Sequence, residues 1–120
     1  MWNSILDILK KKAAEGLDVR VMYDGMGSLT TLPKNYPEFL RNYGIKCRIF
    51  SPFTPFLSAL QNNRDHRKIM VIDGKVAYTG GVNLADEYIN IDFAPGHWKD
   101  MSVMIKGEAA FSFSRIFLIL

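Results

Sequence analysis

The sequence has very few of the residues that build metal sites and disulfides. Cys47 is the single cysteine among 120 residues, which excludes an intrachain disulfide and a cysteine metal site. A reducing, cytoplasmic compartment is the simpler inference from that count. The two histidines, His66 and His97, have no partner at metal-ligand spacing, so a zinc site is not expected.

Long apolar runs and a strong charge of one sign are also missing. The longest unbroken apolar run, residues 116–120, is far shorter than the roughly 18 residues of a membrane span. Fifteen basic and twelve acidic residues give a net charge of +3. This balance is too mild to require a nucleic-acid partner, although it suits an anionic substrate or a membrane surface. The length predicts one small domain, residues 1–120.

Strand and helix patterns alternate along the chain, which predicts an α/β sandwich. In the first helix, Ser4 and Asp7 can form a capping box and Gly16 supplies the stop. Asp73 and Gly74 form a dipeptide typical of a hairpin turn. The predicted helices span residues 4–15, 34–44, 84–90 and 108–120, and the predicted strands span residues 18–24, 45–50, 65–72, 75–79 and 100–107.

Three connections in this pattern lead to further expectations. The second helix is closely followed by a strand, which indicates a β-α-β unit. Residues 51–63, with two prolines and two phenylalanines, are predicted as a loop that exposes apolar side chains. The last helix stops within an apolar pattern and lacks a cap. We therefore expect either a fragment truncated at its C-terminal end or a chain that dimerises; the plainer alternative is a docked terminal helix.

His66 and Lys68 are the residues that point to chemistry. Side chains alternate along a strand, so the two residues are predicted to share one face. Two neighbouring cations repel each other unless an anion lies between them. With a phosphate there, Lys68 would neutralise oxygen charge while His66 attacks phosphorus or protonates a leaving oxygen. Each residue taken singly has a structural explanation, as an edge residue of a strand or as part of a turn.

Taken together, the residues from His66 to Asn83 resemble the HKD motif of the phospholipase D superfamily, which reads H-x-K-x4-D, a small-residue turn and Asn. The resemblance extends through "VRVMYDGMGS", "YGIKCRIFSPF" and "HWKDMSVMIKGEAA" to the catalytic region of bacterial cardiolipin synthases, and it covers nearly the whole chain. It implies a mixed-sheet α-β-α sandwich of phospholipase D type. The matching positions are His66, Lys68, Asp73, Gly80, Gly81 and Asn83.

The resemblance implies a two-step exchange of phosphodiesters without a metal or other cofactor. His66 would be the nucleophile, Lys68 the phosphate clamp, and Asn83, with Gly81, a phosphate-binding element. Asp73 belongs to the motif, although its place in the hairpin turn suggests an architectural role. Asp100 occupies the position of the acid that orients the histidine, while a solvated Asp at the start of a strand is the alternative.

A complete site of this family needs two HKD motifs, and this chain has one half-site. The sequence "HWK" is not a second motif, because Met104 stands where the motif requires Asp. The Gly-Gly turn is typical of the first motif of a cardiolipin synthase. The second half would come from a missing C-terminal part or from a second subunit, and the isolated fragment is expected to be inactive.

The leading interpretation is a phosphatidyltransferase that makes cardiolipin from two molecules of phosphatidylglycerol. The full-length protein is expected at the cell membrane, with its catalytic domain on the cytoplasmic side, and the fragment itself is expected to be soluble. One rival is a phospholipase D or nuclease that transfers to water. No nucleic-acid partner is expected, because basic tracks with aromatic platforms are missing beyond "LKKK". The other rival is an inactive remnant that binds anionic lipid.

Overall fold

A computed structural model describes residues 1–52, 65–91 and 96–119. The chain divides into two compact units. The amino-terminal unit comprises Asn3–His66, and the carboxyl-terminal unit comprises Met1–Trp2 together with Arg67–Leu120. The predicted loop at residues 51–63 lies almost entirely outside the described residues.

The amino-terminal unit contains the predicted β-α-β arrangement. Its two strands pair in parallel, with Arg20 opposite Lys46 and Asp24 opposite Phe50, and a short helix lies between them in sequence. Parallel neighbours need a crossover of this kind. The elements are α1 (Trp2–Ala14), β1 (Arg20–Asp24), α2 (Tyr36–Arg41) and β2 (Lys46–Phe50).

A glycine follows each helix of this unit. Gly16 has φ of 89°, its N–H donates to Ala13 O at 2.9 Å, and Leu17 N–H donates to Lys12 O at 3.1 Å. This pair of bonds is the Schellman motif, so the predicted stop is confirmed. The predicted capping box is wrong: α1 begins at Trp2, which places Ser4 inside the helix.

The second helix, predicted over residues 34–44, is shorter and ends at Arg41; the turn that follows contains Gly44 with positive φ and joins the core. Gly44 N–H donates to Arg41 O, and Ile45 N–H donates to Leu40 O at 3.2 Å. Leu40 and Ile45 are fully buried, which gives this turn the apolar contact that usually accompanies the motif. The other buried residues among those described in this unit are Leu6, Tyr36, Pro37 and Cys47.

The carboxyl-terminal unit is a three-stranded antiparallel sheet with one helix packed on it. Ala77 in the central strand and Ala110 in the helix are fully buried. Phe111 and Ser114 of the helix lie beside Gly74 of the hairpin. The elements are β3 (Lys68–Ile72), β4 (Val76–Gly80), β5 (Ser102–Lys106) and α3 (Glu108–Ile119).

The hairpin turn between β3 and β4 has the predicted chemistry. Asp73 and Gly74 both have positive φ, at 52° and 65°, as a type I′ turn requires, and Lys75 N–H donates to Ile72 O at 3.0 Å. Two neighbouring predictions need correction. The first strand of the hairpin begins at Lys68 and not at residue 65, and the helix predicted at 84–90 is a four-residue 3-10 helix, Asp86–Ile89.

The described residues therefore hold one parallel and one antiparallel sheet with helices, which confirms the α/β class. The sandwich arrangement and the half-site organisation stay predictions. Among the helices of the described ranges, none has both the length and the apolar character of a membrane-spanning helix. Phe111, Leu118 and Ile119 of α3 are well exposed, and dimerisation of the chain stays a prediction.

Candidate active site

The antiparallel sheet brings several predicted site residues to one of its ends. Lys68, the first residue of β3, lies directly opposite Gly80, the last residue of β4. Gly80 in turn lies opposite Ser102, the first residue of β5. The segments that carry Gly81 and Asp100 therefore leave the sheet at the same end as Lys68, although they are far apart in sequence.

Lys68 stands at this end of the sheet with partial burial. Desolvation lowers the pKa of its ammonium group below the ordinary value of 10.5. An ammonium group that has lost part of its hydration attracts an anion more strongly than a fully solvated one, because the local dielectric constant is lower. This setting suits the predicted role of a phosphate clamp.

His66 lies two residues before β3 and is exposed. It is the last residue of the amino-terminal unit, whereas Lys68 belongs to the carboxyl-terminal unit. Because β3 begins only at Lys68, strand alternation does not determine the direction of the imidazole. The shared face of His66 and Lys68 therefore stays a prediction, as does the role of His66 as nucleophile.

Gly81 and Asp100 are in close contact. A Cβ atom built on Gly81 would lie 2.8 Å from Asp100 Oδ2 and 3.2 Å from Oδ1, so the carboxylate fills the space where a side chain would stand. Asp100 Oδ1 also accepts a hydrogen bond from Met101 N–H at 2.7 Å. A carboxylate at this place repels a phosphate on the same side of Gly81, so contact with Asp100 explains the glycine at least as well as phosphate binding does.

Asn83 is held by a neighbour that the sequence analysis did not identify. Its Nδ2 donates a hydrogen bond to the Tyr88 hydroxyl at 2.8 Å. The Tyr88 ring packs on the Trp98 ring, with 4.7 Å between centroids. Residues five apart are not neighbours on one face of a regular helix or strand. The segment "NLADEYIN" therefore gives no pattern that predicts this contact. The pairing depends on the turn before the 3-10 helix.

Asp73 lies at the opposite end of the sheet. Five strand residues separate it from the end marked by Lys68, a distance of about 16 Å at the usual rise per residue. Asp73 has positive φ, a conformation that Asp tolerates better than most residues because of its short polar side chain. Its position suits the architectural role suggested above.

Two further titratable residues of this unit have positions that can be stated. His97 is exposed and precedes Trp98, while Asp86 contacts the amino group of Met1. Within the described ranges, no group of three or more His, Cys, Asp or Glu side chains is arranged to hold a metal ion.

Comparison with known proteins identifies the family. The profile of the cardiolipin synthase PLD-like domain matches residues 2–112. An uncharacterized protein of Streptococcus mutans is 57% identical over 118 residues, which are 98% of this chain and 26% of that protein. A cardiolipin synthase of Alkalihalophilus pseudofirmus is 48% identical over 119 residues, or 98% of this chain and 24% of that enzyme.

A cardiolipin synthase of Listeria monocytogenes is 37% identical over 118 residues, with the same 98% and 24% coverage. No solved structure matches the chain. The chain spans about a quarter of the length of the curated relatives it matches. The match to the family profile covers nearly all of the sequence, and the chain belongs to the family of cardiolipin synthase PLD-like domains.

Proposed function

We propose that the chain supplies one HKD half-site of a phosphatidyltransferase that makes cardiolipin from two molecules of phosphatidylglycerol. The observation that carries the proposal is the set of motif residues at one end of the antiparallel sheet. There the Lys68 of the motif lies opposite Gly80, in a chain whose family includes cardiolipin synthases. Asp100 reaches the same end through β5.

In the first step, a His66 ring nitrogen attacks the phosphorus of one phosphatidylglycerol. The bond from phosphorus to the oxygen of the glycerol headgroup breaks, and the histidine of the second motif donates a proton to that oxygen, so that glycerol leaves. Lys68 and Asn83 stabilise the charge on the non-bridging phosphate oxygens. The product of this step is a phosphatidyl group on His66.

In the second step, a hydroxyl of another phosphatidylglycerol attacks the same phosphorus. The second-motif histidine, now neutral, accepts the hydroxyl proton, and the bond from His66 to phosphorus breaks to release cardiolipin. Asp100 would hold the other imidazole nitrogen of His66 and so fix its tautomer. Asp73 supports the hairpin and takes no part in either step.

The second motif comes from outside these 120 residues, either from the rest of a longer chain or from a second copy. The curated relatives are about four times as long as the chain, which favours the first source. We propose that the complete enzyme works at the cytoplasmic side of the cell membrane, where phosphatidylglycerol is available. The chain alone, with a single motif, should not turn over substrate.

A chimera tests this function. The matching segment of the Alkalihalophilus pseudofirmus cardiolipin synthase, 48% identical, is replaced by this chain, and the purified protein is given phosphatidylglycerol vesicles. Cardiolipin and glycerol should appear in equal amounts. His66→Ala should reduce the rate to background, and Lys68→Met should reduce it roughly 10²- to 10³-fold, the effect of removing one group that stabilises transition-state charge.

Lys75→Met is the matched control for Lys68→Met, because Lys75 is an exposed lysine of the hairpin turn. It should leave the rate within about twofold of the parent chimera, as surface substitutions usually do. Equal rates for the two lysine variants would contradict the clamp. Release of phosphatidic acid in place of cardiolipin would identify water as the acceptor and would favour the hydrolase.

A further inference from the structure

The hydrogen bond between Asn83 and Tyr88 is part of a larger arrangement in the carboxyl-terminal unit. Asn83 Nδ2 donates to Tyr88 Oη at 2.8 Å, and both side chains are partly buried. The Tyr88 ring in turn packs on Trp98 with a centroid distance of 4.7 Å and an interplanar angle of 44°. An aromatic pair of this geometry fixes the ring plane, so the hydroxyl has a defined position beside Asn83.

Asn90 holds Trp98 at its backbone. Asn90 Nδ2 donates to Trp98 O at 3.0 Å, and Trp98 N–H donates to Asn90 Oδ1 at 2.8 Å. Asn90 itself has φ of 59° and ends the 3-10 helix that carries Tyr88. Two bonds from one side chain to one residue tie the segment before β5 to the end of this helix. Tyr88 is therefore fixed on both its backbone side and its ring side.

We propose that Tyr88 is a positioning residue that holds the Asn83 amide with its nitrogen available to a substrate phosphate. The inference rests on the proposed role of Asn83 as a phosphate donor. A phosphate oxygen accepts hydrogen bonds, so Asn83 must present Nδ2 and not Oδ1. The Tyr88 oxygen takes one of the two Nδ2 hydrogens, and the second remains for the phosphate.

The bond to Tyr88 also lowers the entropic cost of phosphate binding by Asn83. A free asparagine side chain loses rotamer freedom when it binds a ligand, whereas one already bonded to a fixed hydroxyl has lost much of that freedom before binding. Removing the hydroxyl should thus weaken phosphate binding through Asn83, and only through Asn83.

The test measures phosphate binding by the 120-residue chain. NMR detects the ¹⁵N-labelled side-chain amides while inorganic phosphate is added as the probe. The Asn83 amide signals should shift saturably. Tyr88→Phe, which keeps the ring on Trp98, should raise the phosphate Kd about two- to tenfold, the range that one neutral hydrogen bond supports. In an Asn83→Ala background the phosphate Kd is followed through the ¹⁵N-labelled backbone amides instead, and Tyr88→Phe should have no further effect there, since the residue acts through Asn83.

Tyr43→Phe is the control, because Tyr43 is an exposed tyrosine of the amino-terminal unit and should leave the Kd unchanged. Three results would overturn the inference: no saturable shift of the Asn83 amide, an unchanged Kd in Tyr88→Phe, or equal weakening by Tyr88→Phe with and without Asn83. The chimera separates this from the proposed function. If Tyr88→Phe weakens phosphate binding only when Asn83 is present but the chimera makes no cardiolipin, the positioning role stands and the proposed function fails. If the chimera makes cardiolipin and Tyr88→Phe does not change the rate, the positioning role fails and the proposed function stands.

Discussion

Replacement of Gly81 by alanine tests whether the contact with Asp100 matters for transfer. The added Cβ would lie 2.8 Å from Asp100 Oδ2, whereas ordinary contacts begin at 3.4 Å, so the carboxylate must move by about 0.6 Å. Asp100 is exposed and its side chain can rotate. The free energy of unfolding should therefore change by no more than about 0.5 kcal/mol, as for other surface substitutions.

The rate of transfer should respond much more strongly than stability. If Asp100 orients the His66 imidazole, a displacement of this size misaligns the nucleophile, and a misplacement of about 1 Å can cost on the order of 10²-fold in rate. We expect Gly81→Ala to lower kcat in the chimera about 10- to 100-fold. Asp100→Asn should lower it to a similar extent, since the amide keeps the shape of the carboxylate but lacks its charge.

The matched control is Gly27→Ala. A Cβ atom at Gly27 also meets a carboxylate, Asp24 Oδ1, but at 3.5 Å, an ordinary contact that requires no movement. Cardiolipin formation is measured by mass spectrometry, and unfolding by urea titration of the same preparations. Parental turnover in both Gly81→Ala and Asp100→Asn would refute the reasoning, and Asp100 would then be only a residue of the segment before β5.

Three further outcomes follow from the amino-terminal unit. Hydrogen bonds from Arg20, and to a smaller extent from Lys46, lower the pKa of Asp18 to about 2. The contribution of Asp18 to the stability of the folded chain should therefore be complete above pH about 4 and lost as the pH falls through 2. An NMR titration with Asp18→Asn as the reference checks this. Burial raises the pKa of the Cys47 thiol. A thiol reagent at pH 8 should therefore modify the folded chain at least roughly tenfold more slowly than the urea-unfolded chain. Equal rates of modification would contradict this burial. Leu40→Ala should reduce the free energy of unfolding by about 2 to 5 kcal/mol, because Leu40 is fully buried, and a loss below 1 kcal/mol in urea titration would contradict its place in the core.

The parts of the fold that the sequence predicted well depend on local chemistry. Gly16 ends α1 through a motif that needs positive φ, and Asp73 with Gly74 sets the hairpin turn for the same reason. The parallel pairing of β1 and β2 follows from the short crossover between them. These signals lie within a few residues of the structure that they specify, so one sequence is enough to find them.

The incorrect predictions concern ends of elements, where local signals compete. Ser4 and Asp7 have the spacing of a capping box, but α1 continues back to Trp2. Residues 84–90 have a helical pattern, yet only four of them form a 3-10 helix, which ends where Asn90 turns to positive φ and binds Trp98. The competing interactions are made by side chains whose partners the pattern does not reveal.

In the candidate site, too, the local features could be predicted from the sequence and the long-range contacts could not. The HKD spacing is visible in the sequence, so His66, Lys68 and Asn83 could be proposed from it. The contact of Gly81 with Asp100 depends on the register that sets Gly80 opposite Ser102, and a register between distant strands cannot be read from one sequence. The bond between Tyr88 and Asn83 spans an irregular turn, so the sequence pattern does not reveal it.

The most direct measurement of the central claim is the detection of the phosphatidyl-enzyme bond. The chimera is mixed with phosphatidylglycerol, quenched in base within the first turnover, digested and analysed by mass spectrometry. The account predicts a phosphatidyl adduct on the peptide that contains His66, none on His97, and none anywhere in His66→Ala. Cardiolipin synthesis by His66→Ala at the parental rate, or an adduct confined to another residue of this chain, would contradict it.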